Sequence, residues 1–342
     1  MARRRRKPWW IDLKQGELLD ERICDLELRL AGTALETRVE RLHEELDRAG
    51  VRFRPYAWLS TDWFTPDRLT GFALPFFLAH PRLARLERRH MLEVEGGTHE
   101  WCMKLLRHET AHALDNAYRL HWKKRWREVF GHFSVPYREE YVPQPSSRHH
   151  VLNLDYWYAQ SHPGEDWAET FSVWLQPRSH WRRRYAGWPA MKKLEFVDEL
   201  MHEIGDQPAK VRTRSYRDPV NKLTMTLREY YRKKQGQYAD DHSTAYDAPL
   251  QRIFSSDPIY ARRERATIFL VRHYNDLRHR VSVVTGQHPY VIKQLFNEIL
   301  RRCRKLDLRL MRPAAEARVD VAVLLTTITV GFLHSGLSEY RR

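Results

Sequence analysis

The sequence of 342 residues is poor in cysteine, and it contains no long apolar run. Its three cysteines, Cys24, Cys102 and Cys303, lie far apart, which excludes a disulfide framework and a Cys-x-x-Cys zinc site and favours reduced thiols. Residues 321–333 are apolar but too short for a membrane span, so we expect a buried strand or a core helix there. The basic N-terminus leads into no apolar run of signal-peptide length. We therefore expect no membrane span and a cytoplasmic protein.

Glycine-rich phosphate loops and internal repeats are also lacking, whereas tryptophan and basic residues are abundant. The 12 tryptophans and the 42% hydrophobic content indicate a packed core, and the length suffices for two domains. A net charge of +15 favours an acidic partner, either an acidic peptide or protein or, as the alternative, nucleic acid. We expect an α+β chain: a mostly helical domain with a small sheet, followed by a mainly α-helical region.

Residues 105–115 contain the motif His-Glu-x-x-His, and the apolar spacing around them predicts a helix that begins after Thr98. On a helix, His108 and His112 lie one turn apart on the same face and can bind one metal ion. Glu109 follows the first of them, where a carboxylate can hold and deprotonate a metal-bound water. The competing interpretation is an ordinary amphipathic helix with two hydrogen-bonded histidines. A third ligand would decide between them.

A second helix is predicted from Pro163 to about Leu175. It carries Glu165 and Glu169 four residues apart, so that one can bind a metal while the other accepts a hydrogen bond from a ligand histidine. Both alternate with aromatic residues, which indicates a buried helix, where an unpaired carboxylate would be costly. The pair therefore favours a functional site. Rival ligands nearby are His149, His150, His162 and Asp166.

Residues 165–171, Glu-Asp-Trp-Ala-Glu-Thr-Phe, and residues 158–163, Tyr-Ala-Gln-Ser-His-Pro, resemble the zinc-binding metallopeptidases of bacteria. They are more distantly similar to the catalytic domain of anthrax lethal factor, and both groups belong to the gluzincins. The resemblance implies a zincin-like fold, a Zn²⁺ cofactor with Glu165 as its third ligand, and Glu169 as the carboxylate that supports His108.

The resemblance also implies roles for residues around these ligands. A tyrosine seven residues before the third ligand, here Tyr158, stabilises the oxyanion or protonates the leaving amine, and only this spacing separates it from Tyr156. Asp115 is a candidate for a residue that contacts the metal ligands without binding the metal itself. His162, a histidine before proline, is a candidate for the substrate cleft, as is Tyr156.

Two features depart from the family pattern. Ala111 stands where many members have glycine, and the cysteine pairs of the zinc ribbon that some relatives carry are missing. The related metzincin pattern is excluded, because Asp115 and Tyr118 stand where it requires glycine and histidine.

The resemblance runs from about residue 55 to residue 200. We predict an N-terminal basic and helical segment at 1–50, a zincin-like metallopeptidase domain at 51–205, and a mainly helical domain of unknown role at 206–342. The predicted function is a zinc metallopeptidase that hydrolyses a peptide or protein substrate. The alternative is a basic nucleic-acid- or protein-binding module on the same fold, SprT-like or non-catalytic. A SprT-like third ligand is normally histidine, so the Glu-x-x-x-Glu pattern argues against that alternative.

Overall fold

The computed structural model describes residues 7–91, 93–137, 144, 147–236 and 246–334. In these ranges the chain is mostly helical with two small two-stranded sheets, which confirms the predicted α+β composition. It divides into two compact units: the first unit comprises residues 1–89 and 94–231, and the second unit comprises residues 90–93 and 232–342. The predicted division at residues 50 and 205 stays a prediction.

The first unit contains most of the helices. They are α1 (Gln15–Asp20), α2 (Ala34–Arg48), α3 (Pro81–Met91), α4 (His99–Tyr118), α5 (Lys124–Phe130), α6 (Pro163–Leu175), α7 (Trp181–Arg184), α8 (Met191–Ile204) and the start of α9 (Leu227–Gly236). The division into units passes through α3 and α9. As predicted, α4 begins after Thr98, whose hydroxyl accepts a hydrogen bond from the Trp101 amide at 3.2 Å. The predicted bounds of α6 are also confirmed, with Pro163 in its first turn.

A small sheet precedes α4. Its strands β1 (Tyr56–Ser60) and β2 (Gly71–Pro75) run parallel, and Phe64 forms an antiparallel bridge with Ala73 of β2. Gly71 is required here because a Cβ atom would lie 2.3 Å from the Tyr56 carbonyl oxygen. The alternation of apolar and basic residues at 51–59 predicts one strand, and the apolar run at 71–78 predicts a second. Both observed strands are shorter than this, since β1 begins at Tyr56 and the chain turns into a 3₁₀ helix after β2.

Helix α4 is held on two sides. The Trp167 indole on α6 donates to the Ala111 carbonyl at 2.9 Å, and Arg107 forms a two-pronged ion pair with Glu45 of α2 at 2.8 and 3.0 Å. The side chains of Arg107 and Glu45 are 8% and 3% exposed, so this pair is buried. The middle of α4 is therefore fixed in position and rotation by its neighbours.

The second unit is built around apolar helix faces. Its remaining elements are α10 (Asp247–Ile253), β3 (Phe254–Ser255), α11 (Ala266–Thr285), α12 (Pro289–Lys305), β4 (Arg309–Leu310) and α13 (Ala314–His334), with β3 and β4 antiparallel. Residues 321–333 thus form a helix and not a strand, and Val321 and Leu325 pack in the core. None of the described helices combines the length and the apolar character that crossing a membrane requires.

Candidate metal centre

Helices α4 and α6 bring three side chains together inside the first unit. His108 and His112 come from α4, Glu165 comes from the first turn of α6, and one donor atom of each lies within 4.8 Å of the others. Glu165 Oε2 is 3.0 Å from His108 Nε2 and 3.4 Å from His112 Nε2, and the two ring nitrogens are 3.1 Å apart. Within the described ranges, no other group of three such side chains converges in this way.

Glu169 orients the first of these histidines. The Nδ1–H group of His108 donates to Glu169 Oε1 at 2.9 Å, an arrangement that directs Nε2 toward the other two side chains. Glu169 is itself completely buried, and it accepts further hydrogen bonds from Asn153 Nδ2 at 2.9 Å and from the Leu154 amide at 2.8 Å. Its carboxylate is therefore held by three donors and cannot turn away from His108.

The donor set fits a zinc ion. Glu165 Oε2 is buried, faces two ring nitrogens and accepts no hydrogen bond of satisfactory geometry. Burial lowers the pKa of His108, but the adjacent carboxylates of Glu165 and Glu169 outweigh this and raise the pKa to about 10. Burial raises the pKa of Glu165, but His112 and His108 reverse this and hold it well below the usual range. Both shifts indicate a site that stabilises positive charge. Two imidazoles and one carboxylate are a common protein ligand set of catalytic zinc.

Glu109 lies beside this group and is also buried. The Thr65 hydroxyl lies 2.8 Å from Glu109 Oε2 and donates to it. Thr65 directly follows Phe64, which is paired with β2, so the sheet positions this contact. The sequence gives no local signal for this contact, because nothing in a short polar segment shows which distant carboxylate Thr65 will meet.

The other predicted site residues are more varied in their surroundings. The ring of Tyr158 lies next to His108, with 5.8 Å between ring centroids. Asp115 accepts hydrogen bonds from the amide and the Nδ1–H group of His121, both at 2.8 Å. Tyr156 is on the 3₁₀ helix Asp155–Gln160, but its side chain lies outside the described part of the protein. Their predicted roles stay predictions.

Both ring nitrogens of His162 are engaged by the backbone. Nδ1 accepts from the Gly164 amide at 3.0 Å, which caps α6, and Nε2–H donates to the Val135 carbonyl at 2.8 Å. The side chain of the rival ligand Asp166 pairs with Lys193 at 2.6 Å and is not part of the three-residue group.

Three contacts to the site come from residues that the sequence did not single out, namely Thr65, Tyr137 and Asn153. The Tyr137 hydroxyl donates to Glu165 Oε1 at 2.8 Å. All three lie outside regular helices and strands, so no periodicity marked them.

Comparison of the chain with protein-family models, with curated proteins and with solved structures finds no match. The resemblance to gluzincins therefore rests on the motifs of the sequence alone.

Proposed function

We propose that this protein is a zinc-dependent metallopeptidase whose metal is held by His108, His112 and Glu165. The observation that carries the proposal is the convergence of their donor atoms within 4.8 Å in a buried site, with Glu165 Oε2 lacking a hydrogen-bond partner. Glu169 adds the outer carboxylate that catalytic zinc sites use to orient a histidine ligand.

Zinc bound here would polarise the scissile carbonyl group as a Lewis acid and lower the pKa of a water molecule. Glu109 then takes the proton from the attacking water and delivers it to the leaving amine. Thr65 holds one oxygen of Glu109, which leaves the other oxygen for this proton transfer. Tyr158, beside His108, donates a hydrogen bond from its phenol hydroxyl to the oxyanion of the tetrahedral intermediate.

The segment around Phe64 would bind the substrate by backbone pairing. An extended peptide that pairs with the chain around Phe64 would lie next to Thr65 and so next to Glu109. The net charge of +15 favours an acidic peptide or protein as the substrate.

The test is metal analysis of the purified chain combined with cleavage of an unbiased peptide library. We expect about one zinc per chain. Glu109→Gln should keep the zinc and lower the rate of hydrolysis by about 10²- to 10⁴-fold, because it removes the proton acceptor. Glu128→Gln is the matched control, since Glu128 is more than half exposed on α5. Cleavage by Glu109→Gln at the wild-type rate would contradict the mechanism.

A different result would favour the alternative function. If the chain contains no zinc and binds nucleic acid with an affinity that falls steeply with salt, the protein is a basic binding module and not a peptidase.

A further inference from the structure

The carboxylate of Glu165 has two different surroundings at its two oxygens. Oε2 faces the ring nitrogens of His108 and His112, while Oε1 accepts a hydrogen bond from the Tyr137 hydroxyl at 2.8 Å. Tyr137 is 55% exposed overall, yet its hydroxyl reaches a carboxylate that is only 2% exposed. The phenol thus approaches the third ligand from the solvent side.

The ring of Tyr137 is held in place by the residue that begins α6. It stacks on the His162 ring with 3.9 Å between centroids and 12° between planes. His162 is fixed in turn by hydrogen bonds to Val135, two residues before Tyr137, and to Gly164, the residue before Glu165. Phe133 packs edge-on against the same histidine at 5.4 Å. His162 therefore fixes the position of the segment before Tyr137 relative to the turn of α6 that carries Glu165.

This arrangement has a consequence for metal binding. A carboxylate can bind a metal through one oxygen or through both, and a donor that occupies one oxygen leaves the other as the ligand atom. Catalytic zinc needs a coordination position that protein atoms do not fill. If Oε1 also bound the metal, that position would be lost.

We propose that Tyr137 is a positioning residue that makes Glu165 a ligand through Oε2 alone. The inference rests on the proposed zinc site and adds to it a specific role for the Tyr137 hydroxyl. The two tyrosines therefore have different proposed roles, because Tyr158 lies against His108, whereas Tyr137 contacts Glu165.

The variant that tests this is Tyr137→Phe in the full chain, which removes the hydroxyl and keeps the ring on His162. We expect its zinc affinity, measured by competition with a chromogenic chelator, to fall by about 10- to 100-fold. With Co²⁺ in place of zinc, the visible absorption should weaken, because a second carboxylate oxygen raises the coordination number.

Two tyrosines serve as comparisons. Tyr216→Phe should leave zinc affinity and the Co²⁺ spectrum unchanged, because Tyr216 is equally exposed at 54% but packs against Tyr56 and Trp58. Tyr158→Phe should slow hydrolysis while zinc affinity stays at the wild-type level.

The outcomes separate the two proposals. If wild-type protein binds zinc and Tyr137→Phe binds it equally well with an unchanged Co²⁺ spectrum, the role of Tyr137 is wrong and the zinc site stands. If wild-type protein binds no zinc, both proposals are overturned. A weakened affinity with an altered spectrum in Tyr137→Phe, and in neither control, supports the inference.

Discussion

The two compact units of this protein bury different kinds of side chain. On α4 and α6, the first unit buries seven acidic, basic or histidine side chains: Arg107, His108, Glu109, Asp115, Glu165, Asp166 and Glu169. Among the described residues of the second unit, Arg302 is the only buried charged side chain, and its other buried polar residues are Gln287 and Thr329. The core of the second unit consists of aliphatic and aromatic residues from α10 to α13.

This difference separates a core of apolar side chains from a core that also contains charged side chains. Burying a charge without partners costs several kcal/mol, so a cluster of buried charges persists only where the groups satisfy each other or bind an ion. In the first unit Glu169 has three hydrogen-bond donors, whereas Glu165 Oε2 has none of satisfactory geometry. This Glu165 oxygen faces both histidines, which is where a cation would complete the site.

The largest expected effect comes from removing a ligand in the first unit. His112→Ala should lower zinc affinity by more than the roughly 100-fold that loss of an outer partner costs, because the site loses one of three donors. Metal analysis and chelator competition measure this directly. His279→Ala, an exposed histidine on α11 in the second unit, is the matched control and should keep one zinc per chain. Equal zinc content in the two variants would place the metal elsewhere.

The next largest effect is expected from the buried ion pair between Glu45 and Arg107, the residue before the His-Glu-x-x-His motif. Glu45→Leu should lower the free energy of unfolding by about 3–5 kcal/mol, because it leaves Arg107 buried without its partner. Arg107→Met should cost less, because Glu45 keeps Arg41 at 3.7 Å. The double variant should recover most of the loss. Urea unfolding followed by circular dichroism gives these values.

The second unit contains a corresponding ion pair between Asp247 and Arg302 that is less completely buried. Asp247 pairs with Arg302 but its side chain is 27% exposed, so water can replace part of the interaction. Arg302→Met should therefore cost only about 1 kcal/mol, because the Asp247 carboxylate that it leaves behind stays in contact with water. A loss as large as that of Glu45→Leu would show that the two cores do not differ in how they hold charge.

The sequence predicted the parts of the site that lie on helices and missed the parts that lie between them. His108 and His112, like Glu165 and Glu169, are four residues apart, and the geometry of one helix turn places each pair on a common face. Thr65, Tyr137 and Asn153 belong to connecting segments whose position depends on tertiary packing. Their contacts to Glu109, Glu165 and Glu169 cannot be read from local spacing.

The sequence also contains a signal that His162 caps a helix, whereas the resemblance to a known family implies a place in the substrate cleft. The dipeptide His-Pro occurs three times, at His80, His162 and His288, and each time a helix begins at the proline. In each case the Nδ1 atom accepts a hydrogen bond from the amide two residues later, at distances of 3.0 to 3.1 Å. Histidine before proline is therefore a helix cap in this chain, and its repetition was the clue.

The last prediction tests such a cap in the second unit by its response to pH. Burial, with a smaller contribution from the charge of Lys234, lowers the pKa of His288 to about 4, although Glu93 Oε2 lies 3.2 Å from its Nε2 atom. The neutral ring is required, because Nδ1 accepts from the Tyr290 amide. In the unfolded chain a histidine titrates near 6.5, so between pH 6.5 and 4 the unfolded state binds the additional proton. The stabilisation is therefore complete above pH 6.5 and is lost as the pH falls toward 4, by at most about 3 kcal/mol.

His288→Asn isolates this effect, because asparagine caps a helix equally well but does not titrate. All other titrating groups are common to the two proteins, so their contributions cancel in the difference between the unfolding free energies. That difference, measured by urea unfolding at a series of pH values from 7.5 to about 4.5, should shift in favour of the variant as the solution becomes more acidic. Parallel pH profiles would mean that His288 is protonated equally in both states and that its ring does not need to be neutral to begin α12. His288 offers a cleaner test than His162, one of the two equivalent histidines of the first unit, because His162 stacks on the tyrosine that contacts Glu165 and its replacement would disturb the candidate metal centre as well as the cap.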